Sequence, residues 1–359
     1  DSEEDWVKES ATMRRVYSHS IMNISATGAA DSTIGLFLDQ NGDYLRAFNV
    51  LLSGSKRKDL ECVCFDTNFW EKCISNAPLS KRAWVCQERL LSPRILHFGA
   101  TQMSWECMEL ASCETFPERV PEGIQGNNTS VITKRDYFDR LPGFSESMWA
   151  ELVQYYTSCA LTFPSDRYIA FAGLVEEIHF STKDEYIVGF WRKGIERQLL
   201  WQSSATTKPT EYRAPSWSWL SINSTVRPMV PYSNNLVETI VKVLDVRMNY
   251  SGEGSFGPVT YGCLRCHGIL GSAVCQKISD WWAIQTVHGR ALKSMPISYG
   301  FLDHMTDLSE HKVTYLPVLK YEGMFSVLGL FLKPTHVKEE EYRRVGIWQT
   351  GGIVRIVLA

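Results

Sequence analysis

The feature that most constrains the fold is the dense run Arg82-Ala-Trp-Val-Cys-Gln-Glu-Arg-Leu-Leu-Ser-Pro-Arg94, continued through Ile95-Leu-His-Phe-Gly99 to Trp105-Glu106-Cys107. Ser80 is placed to cap a helix whose first turn holds Lys81 and Arg82. Trp84, Gln87, Glu88 and Leu91 fall at i, i+3, i+4 and i+7, so they share one helical face. Ser92-Pro93 ends the helix, because the residue before proline is driven out of the helical region. Arg94 to Phe98 then reads as a strand, Gly99-Ala-Thr101 as a turn and Gln102 to Cys107 as a second strand, with Met103, Trp105 and Cys107 on one side.

Composition bounds the class. The chain has 359 residues, 44% hydrophobic and 21% charged, which fits a globular protein with a substantial core rather than a disordered one. A net charge of -3 gives no electrostatic case for nucleic acid or an anionic membrane. No run reaches the roughly 18 apolar residues of a membrane-crossing helix. The first residues are acidic and polar, unlike a secretory signal. The ten cysteines follow no framework spacing, so reduced thiols in an intracellular, cytoplasmic chain are expected. Cys62, Cys64 and Cys73 fit no standard zinc spacing. The string Cys263-Leu-Arg-Cys266-His267 matches a haem-attachment pattern but lies inside an alternating strand, and is read as coincidence. No metal is expected.

Before the central run, residues 1–20 read as a helix with Ser2 as cap and Asp5 in the capping-box position. Trp6, Met13 and Val16 form its apolar stripe, and Glu9 falls on the same stripe. A carboxylate there either reaches water past its neighbours or sits in a low-dielectric pocket with a raised pKa suited to catalysis. Residues 21–27 alternate as a strand with Met22, Ile24 and Ala26 on one face. Residues 40–76 show no clear pattern and read as a loop. After the central run, Ser145 caps a helix through Cys159, with Trp149, Leu152, Val153 and Tyr156 inward. A further helix follows Pro164. A third is expected from 184 to 202, with Trp191, Ile195 and Leu199 at steps of four. Arg213-Ala-Pro-Ser-Trp-Ser-Trp219 reads as a short strand with Trp217 and Trp219 on one face. Arg213 there is either a fork for a carboxylate or phosphate, or a structural arginine stacked on tryptophan or paired with an acid. From Val237 the chain turns β-rich, with strands expected at 240–248, 259–270, 313–319, 324–332, 342–349 and 353–358.

These residues carry a resemblance to the fungal heterokaryon incompatibility (HET) domain family, whose members share a block close to Arg-Gly-Trp-(Thr/Val)-X-Gln-Glu-Arg-Leu-Leu-Ser-Pro-Arg, then a Leu-X-Phe strand and a Trp-Glu-Cys. Here Ala83 stands for the glycine. Asp5-Trp6, Glu9, Met13, Tyr17, Ile24-Ser-Ala-Thr27 and Gly35-Leu36-Phe37 resemble a second family segment. Leu161 to Asp166 with Arg213 to Trp219 resemble a third. The motif residues are Arg82, Trp84, Gln87, Glu88, Arg89, Arg94, Trp105, Arg213, Trp217 and Trp219. HET domains usually carry an upstream segment with no counterpart here, so the resemblance implies that the front of the domain is missing. The expected architecture is α+β: an incomplete α/β, TIR-like HET domain over 1–115, a helical segment over 116–220 and a β-rich unit over 221–359.

The resemblance also implies function. HET proteins trigger cell death when unlike fungal cells fuse, so a role in allorecognition and programmed cell death signalling is expected, through protein partners or self-association. HET domains are distantly similar to TIR domains, several of which cleave NAD⁺. By that analogy Glu9 orients the ribose hydroxyls and stabilises the developing oxocarbenium charge, while Trp6 stacks on a ring of the dinucleotide. The alternative is a non-enzymatic scaffold or an inactive fragment, in which Arg82, Glu88, Arg89 and Arg94 form an ion-pair cluster anchored by Trp84.

Overall fold

The computed structural model describes residues 3–38, 48–54, 57–121, 133–203, 209, 211–230, 237–251, 258–278, 281–288, 291–294, 298–302, 312–321 and 326–350. The chain forms two compact units, 1–182 and 183–359. It mixes helices with several sheets, an α+β protein. Among the described residues no helix is long and apolar enough to cross a membrane.

The first unit is built around α2 (Ala83–Leu91). It starts later than the sequence suggests. Ser80 lies buried in a 3-10 turn, Leu79–Lys81, and Arg82 takes the N-cap position with an extended backbone and no side-chain cap. A bridge explains the start: Ala83 N donates to Ala160 O and Ala160 N to Lys81 O, so these backbone groups are satisfied across the chain instead of by a cap.

Around α2 stand α1 (Glu3–Ser18), α3 (Lys134–Arg140), α4 (Glu146–Ser158) and α5 (Ile169–Thr182). Ser145 Oγ accepts from Met148 N at 3.3 Å and caps α4 as expected. Tyr156 of α4 stacks on Phe171 of α5 with ring centroids 4.4 Å apart. Arg14 of α1 reaches Glu176 and Glu177 of α5 at 3.3 and 3.6 Å.

The sheet of this unit runs β1 (Asn23–Ser25), β4 (Arg94–Phe98), β5 (Met103–Cys107), β6 (Ala111–Cys113). Only β1 and β4 are parallel; the other neighbours are antiparallel. β1 is shorter than the expected 21–27, and the side carrying Met22 and Ile24 is exposed. Residues 40–76, expected as a loop, hold a hairpin of β2 (Phe48–Gly54) and β3 (Arg57–Cys64) and a π-helical turn, Glu71–Ser75. That turn seats Trp70 and Ile74 in a core cluster with Phe69, Ala111, Cys113 and Val120.

In the second unit the expected helix over 184–202 is absent. The segment forms β7 (Tyr186–Ile187), β8 (Phe190–Trp191), the short α6 (Ile195–Gln198) and β9 (Trp201–Ser203). The reason is local: Val188 and Gly189 have φ of 40° and 96°, the left-handed pair that a two-residue hairpin requires. Hydrophobic residues at steps of four are therefore a hairpin and a helical turn folded together, with Trp191, Ile195 and Leu199 all buried.

β10 (Val226–Pro228) pairs with β9. The β-rich part contains β11 (Val237–Thr239), β12 (Lys242–Tyr250), β13 (Val259–His267), β14 (Gly271–Ile278), β15 (Trp281–His288), β16 (Ala291–Ser294), β17 (Ser298–Leu302), β18 (Lys312–Tyr321), β19 (Ser326–Pro334) and β20 (Tyr342–Thr350). The expected strands at 240–248, 259–270, 313–319, 324–332 and 342–349 correspond to described ones. The strands between 271 and 302 were not foreseen, and 353–358 lies outside the described residues. β12 and β13 form their own two-stranded sheet. The large sheet runs β16-β15-β14-β18-β19-β20-β17, with β11 on β18. Its core gathers Ala273, Val313, Val327, Phe331, Val345 and Trp348.

Candidate functional site

The motif residues of the first unit do not gather round one cavity. Trp84, Gln87, Glu88, Arg89 and Arg94 each tie α2 or the strand after it to a neighbour. Trp84 Nε1 donates to Asp166 Oδ2 at 3.3 Å, just ahead of α5. Gln87 Oε1 accepts from Gly173 N at 3.2 Å inside α5. A Cβ at Gly173 would lie 2.8 Å from that same oxygen, so glycine lets the two helices meet. Glu88 faces Tyr17 of α1; burial pushes its pKa up, against the opposing pull of Tyr17 and Arg82. Arg94 Nη1 donates to Ile21 O at 3.3 Å, next to β1.

Arg89 goes inward. Its Nε and Nη2 donate to Glu106 Oε2 and Oε1 at 2.8 and 2.7 Å, a two-pronged pair in which both side chains are 2% exposed. Arg89 therefore pairs with Glu106 of β5; the expected cluster of Arg82, Glu88, Arg89 and Arg94 does not form. Met103, Trp105 and Cys107 share one side of β5, as the alternation reads, and the buried side is the other one. Ser104 and Glu106 are buried, while Met103 is exposed and Trp105 half-buried.

The carboxylate has further donors. His97 Nε2 lies 3.3 Å from Glu106 Oε2, and His97 Nδ1 lies 2.8 Å from Thr27 Oγ1. Both contacts are satisfied when Nε2–H donates to Glu106 and Nδ1 accepts from the Thr27 hydroxyl. Lys134 N donates to Glu106 Oε1 at 3.3 Å, and Lys134 Nζ donates to Arg89 O and Ser92 O at the end of α2. A cation there complements the helix C-terminus and its unpaired carbonyls.

The charge states follow from the surroundings. Burial raises the Glu106 pKa, but Arg89 and the His97 hydrogen bond reverse this and hold it well below the usual carboxylate range. Burial lowers the pKa of His97, which favours the neutral ring, and brings that of Lys134 down to about 8. With its donors in place the carboxylate is the compensated centre of a buried polar network. Sequence reading named Arg89 without its partner and missed His97 and Lys134. A signal was available: Arg89 is followed by Leu90 and Leu91 in a helix buried on several sides, and such an arginine requires a carboxylate.

Glu9 and Trp6 stand apart. Glu9 lies on α1 with an exposed side chain, so the pocket reading of its carboxylate is corrected to the solvated one. Trp6 is in α1, but its side chain lies outside the described residues.

In the second unit, Arg213 to Trp219 is a strap leading into a 3-10 turn, Trp219–Ser221, rather than a strand. Ser218 Oγ donates to Val188 O and Trp219 Nε1 to Gly189 O, each at 2.7 Å, so the strap holds the left-handed β7–β8 turn. Trp217 stacks on Phe190 at 5.9 Å, and its carbonyl accepts from Trp201 Nε1 at 3.0 Å. Arg213 donates to Asn223 Oδ1. Buried Arg344 of β20 lies over the Trp201 ring, 3.3 Å from its centroid. The outer side of the strap, β13 and the β19–β20 loop enclose an open groove of about 910 Å³, lined by Tyr212, Arg213, Trp217, Arg247, Tyr261 and Arg265 among others. Tyr, Trp and Arg dominate the energetics of protein interfaces. Among the described residues no group of three His, Cys, Asp or Glu is disposed to hold a metal ion.

Comparison with known proteins adds one finding. Residues 1–88 match the family model described as Heterokaryon incompatibility protein (HET). No curated protein and no solved structure matches the chain. The matched span runs from α1 through β1 and the hairpin to Glu88 in α2, where three of the ties described above originate. Over residues 1–88 this chain is therefore similar to the heterokaryon incompatibility (HET) family.

Proposed function

We propose that the protein acts in heterokaryon incompatibility, in the recognition of self and nonself between fungal cells that leads to programmed cell death, and that it does so through protein contacts rather than by cleaving NAD⁺. The observation that carries this reading is the use made of the motif. Trp84, Gln87, Glu88, Arg89 and Arg94 each hold a separate element against α2 or the sheet. Side chains committed in this way position a surface; they do not converge on a reacting bond. Glu9, the residue the TIR analogy assigns to catalysis, lies open to solvent. Transition-state stabilisation of the kind that analogy needs takes place in a water-excluded site.

The test is expression in a fungal host with cell death as the readout. Glu9→Gln keeps the side-chain shape and removes the charge, and the reading expects it to kill as the parent chain does. Trp84→Ala removes the tie to Asp166, and the protein is expected to lose its effect along with its stability. Loss of killing in Glu9→Gln, with a folded protein at parental abundance, refutes the contact reading.

A further inference from the structure

We propose that the groove of the second unit takes an extended peptide segment of a partner protein, which adds as a strand to the open edge of β13 and places a carboxylate on Arg265. The inference concerns the second unit alone, and its test does not depend on the recognition role proposed above.

The groove meets β13 along an edge. Six consecutive residues of that strand, Tyr261 to Cys266, line it. Consecutive residues of a strand point to opposite faces, so a groove that touches all of them lies beside the strand and not over one face. β12 adds only Asp245 and Arg247, which alternate on a single face. Among the described residues β13 pairs with β12 alone, and no backbone group from 261 to 266 bonds outside that ladder. Every second residue here therefore turns its N–H and C=O away from β12, towards the groove. Native edges are commonly blocked by lysine or proline; Tyr261 to Cys266 contains neither.

The side chains beside the edge fall into two kinds. Tyr261, Cys263 and Arg265 share one side of β13, with Arg247 opposite Cys263 and Asp245 opposite Arg265. Asp245 Oδ2 already accepts from Arg247 Nε at 3.0 Å, so this side holds two guanidinium groups against one carboxylate. The other side carries Gly262 and Leu264. A Cβ at Gly262 would collide with Pro215, so the strap packs there, and Pro215, Trp217 and Ile222 continue an apolar wall along the groove. The β19–β20 loop brings Lys338 and Arg343 together with Glu339, Glu340 and Glu341. Its charges are mixed, so a carboxylate is selected at Arg265 and not by the groove as a whole.

An extended peptide answers both features. Another main chain offers donors and acceptors at the spacing of the open edge; a compact solute would leave most of them unmet. Along such a chain the side chains alternate. One set meets Arg247 and Arg265, where a carboxylate completes a charge-assisted pair, and the other set meets the apolar wall. Main-chain bonds then supply affinity and the alternate side chains specificity, as in strand addition to a sheet edge. A peptide of six residues spans roughly 20 Å and matches the stretch of β13 that lines the groove.

The experiment is fluorescence anisotropy of a labelled, capped peptide, Val-Thr-Val-Glu-Val-Thr, titrated with the purified full chain to about 300 micromolar. Saturable binding is expected. The counterpart with lysine in place of glutamate is expected to bind at least about tenfold more weakly. Two further peptides carry N-methyl groups on the first, third and fifth residues, or on the second, fourth and sixth. A strand added at an edge is bonded through one of its own edges only, so one of these peptides is expected to lose binding and the other to keep it. Arg265→Glu, at an exposed position, keeps the parental circular dichroism and is expected to abolish the preference for glutamate over lysine. No saturation with the glutamate peptide, the same outcome for both N-methylated peptides, or a preference for glutamate that survives Arg265→Glu overturns the proposal.

Discussion

The α2 block and the β2–β3 hairpin lie in the same unit and use their side chains in opposite ways. In the block, Trp84, Gln87, Glu88, Arg89 and Arg94 each have at least one partner on another element. In the hairpin, Phe48, Leu51, Leu52, Leu60 and Val63 are each more than half exposed. Most side chains of α2 are buried among the protein's own elements, whereas the hairpin leaves apolar side chains exposed. Substitutions in the block should thus be read in stability, and substitutions at the exposed hairpin positions should change it little.

The largest effect is expected at the centre of the block. Arg89→Met leaves the Glu106 carboxylate buried with its two-pronged partner removed, and is expected to cost about 3–5 kcal/mol, read by chemical denaturation. Adding Glu106→Leu removes the stranded charge and should restore much of the loss. If the double variant is no better than the single one, the network holds the unit together in a way that a carboxylate–guanidinium pair does not describe.

The pH response of the first unit follows from the same network. With the His97 pKa lowered in the fold, the unfolded chain binds a proton that the folded chain refuses. Stability is accordingly lost as pH falls below about 6.5. Glu106, held well below the usual range, adds to that loss from about pH 4.3 downwards. Lys134, with its pKa near 8 in the fold, acts at the other end. The unfolded chain keeps this proton to about pH 10.4, so stability rises between those values, by on the order of 3 kcal/mol at most. Thermal melts across pH should show both slopes; the acid slope is expected to shrink in His97→Gln and the alkaline one in Lys134→Met.

Gly173→Ala sharpens the comparison at a smaller scale. Alanine gains up to about 1 kcal/mol in helix propensity, whereas a Cβ 2.8 Å from Gln87 Oε1 and 3.0 Å from Leu91 Cδ1 costs about 1–3 kcal/mol of overpacking. A net loss near 1 kcal/mol is expected by denaturation; a net gain would show that the two helices separate at little cost. The smallest effect belongs to the hairpin. Leu52→Asp with Leu60→Asp is expected to change stability by no more than about 0.5 kcal/mol per site.

The same contrast explains what the sequence made legible. The α2 block could be recognised because its polar residues sit at fixed spacings on a helix, and fixed partners demand fixed spacings. Its boundaries were less legible: Ser80 looked like a cap, but the cross-chain bridge to Ala160 supplied what a cap would. The partner of Arg89 lay in the polar phase of β5, hidden because the alternation was read from its apolar phase. Periodicity failed at 184–202, where the left-handed φ of a β-branched valine turns a helical spacing into a hairpin. The hairpin at 48–64 was missed for a related reason. One of its faces mixes Leu51 and Val63 with charge, which blurs the alternation. At the candidate catalytic position, the stripe of α1 placed Glu9 beside apolar residues, but a stripe alone does not say whether its edge is under cover.

The most direct test of the central claim, that the motif holds structure and the protein works by contact, is nicotinamide release from NAD⁺ by the purified full chain, followed by chromatography beside Glu9→Gln. The account predicts no release above the enzyme-free background in either protein, at concentrations where both are folded. Release by the parent chain that disappears in Glu9→Gln would contradict it and make that exposed glutamate a catalytic residue.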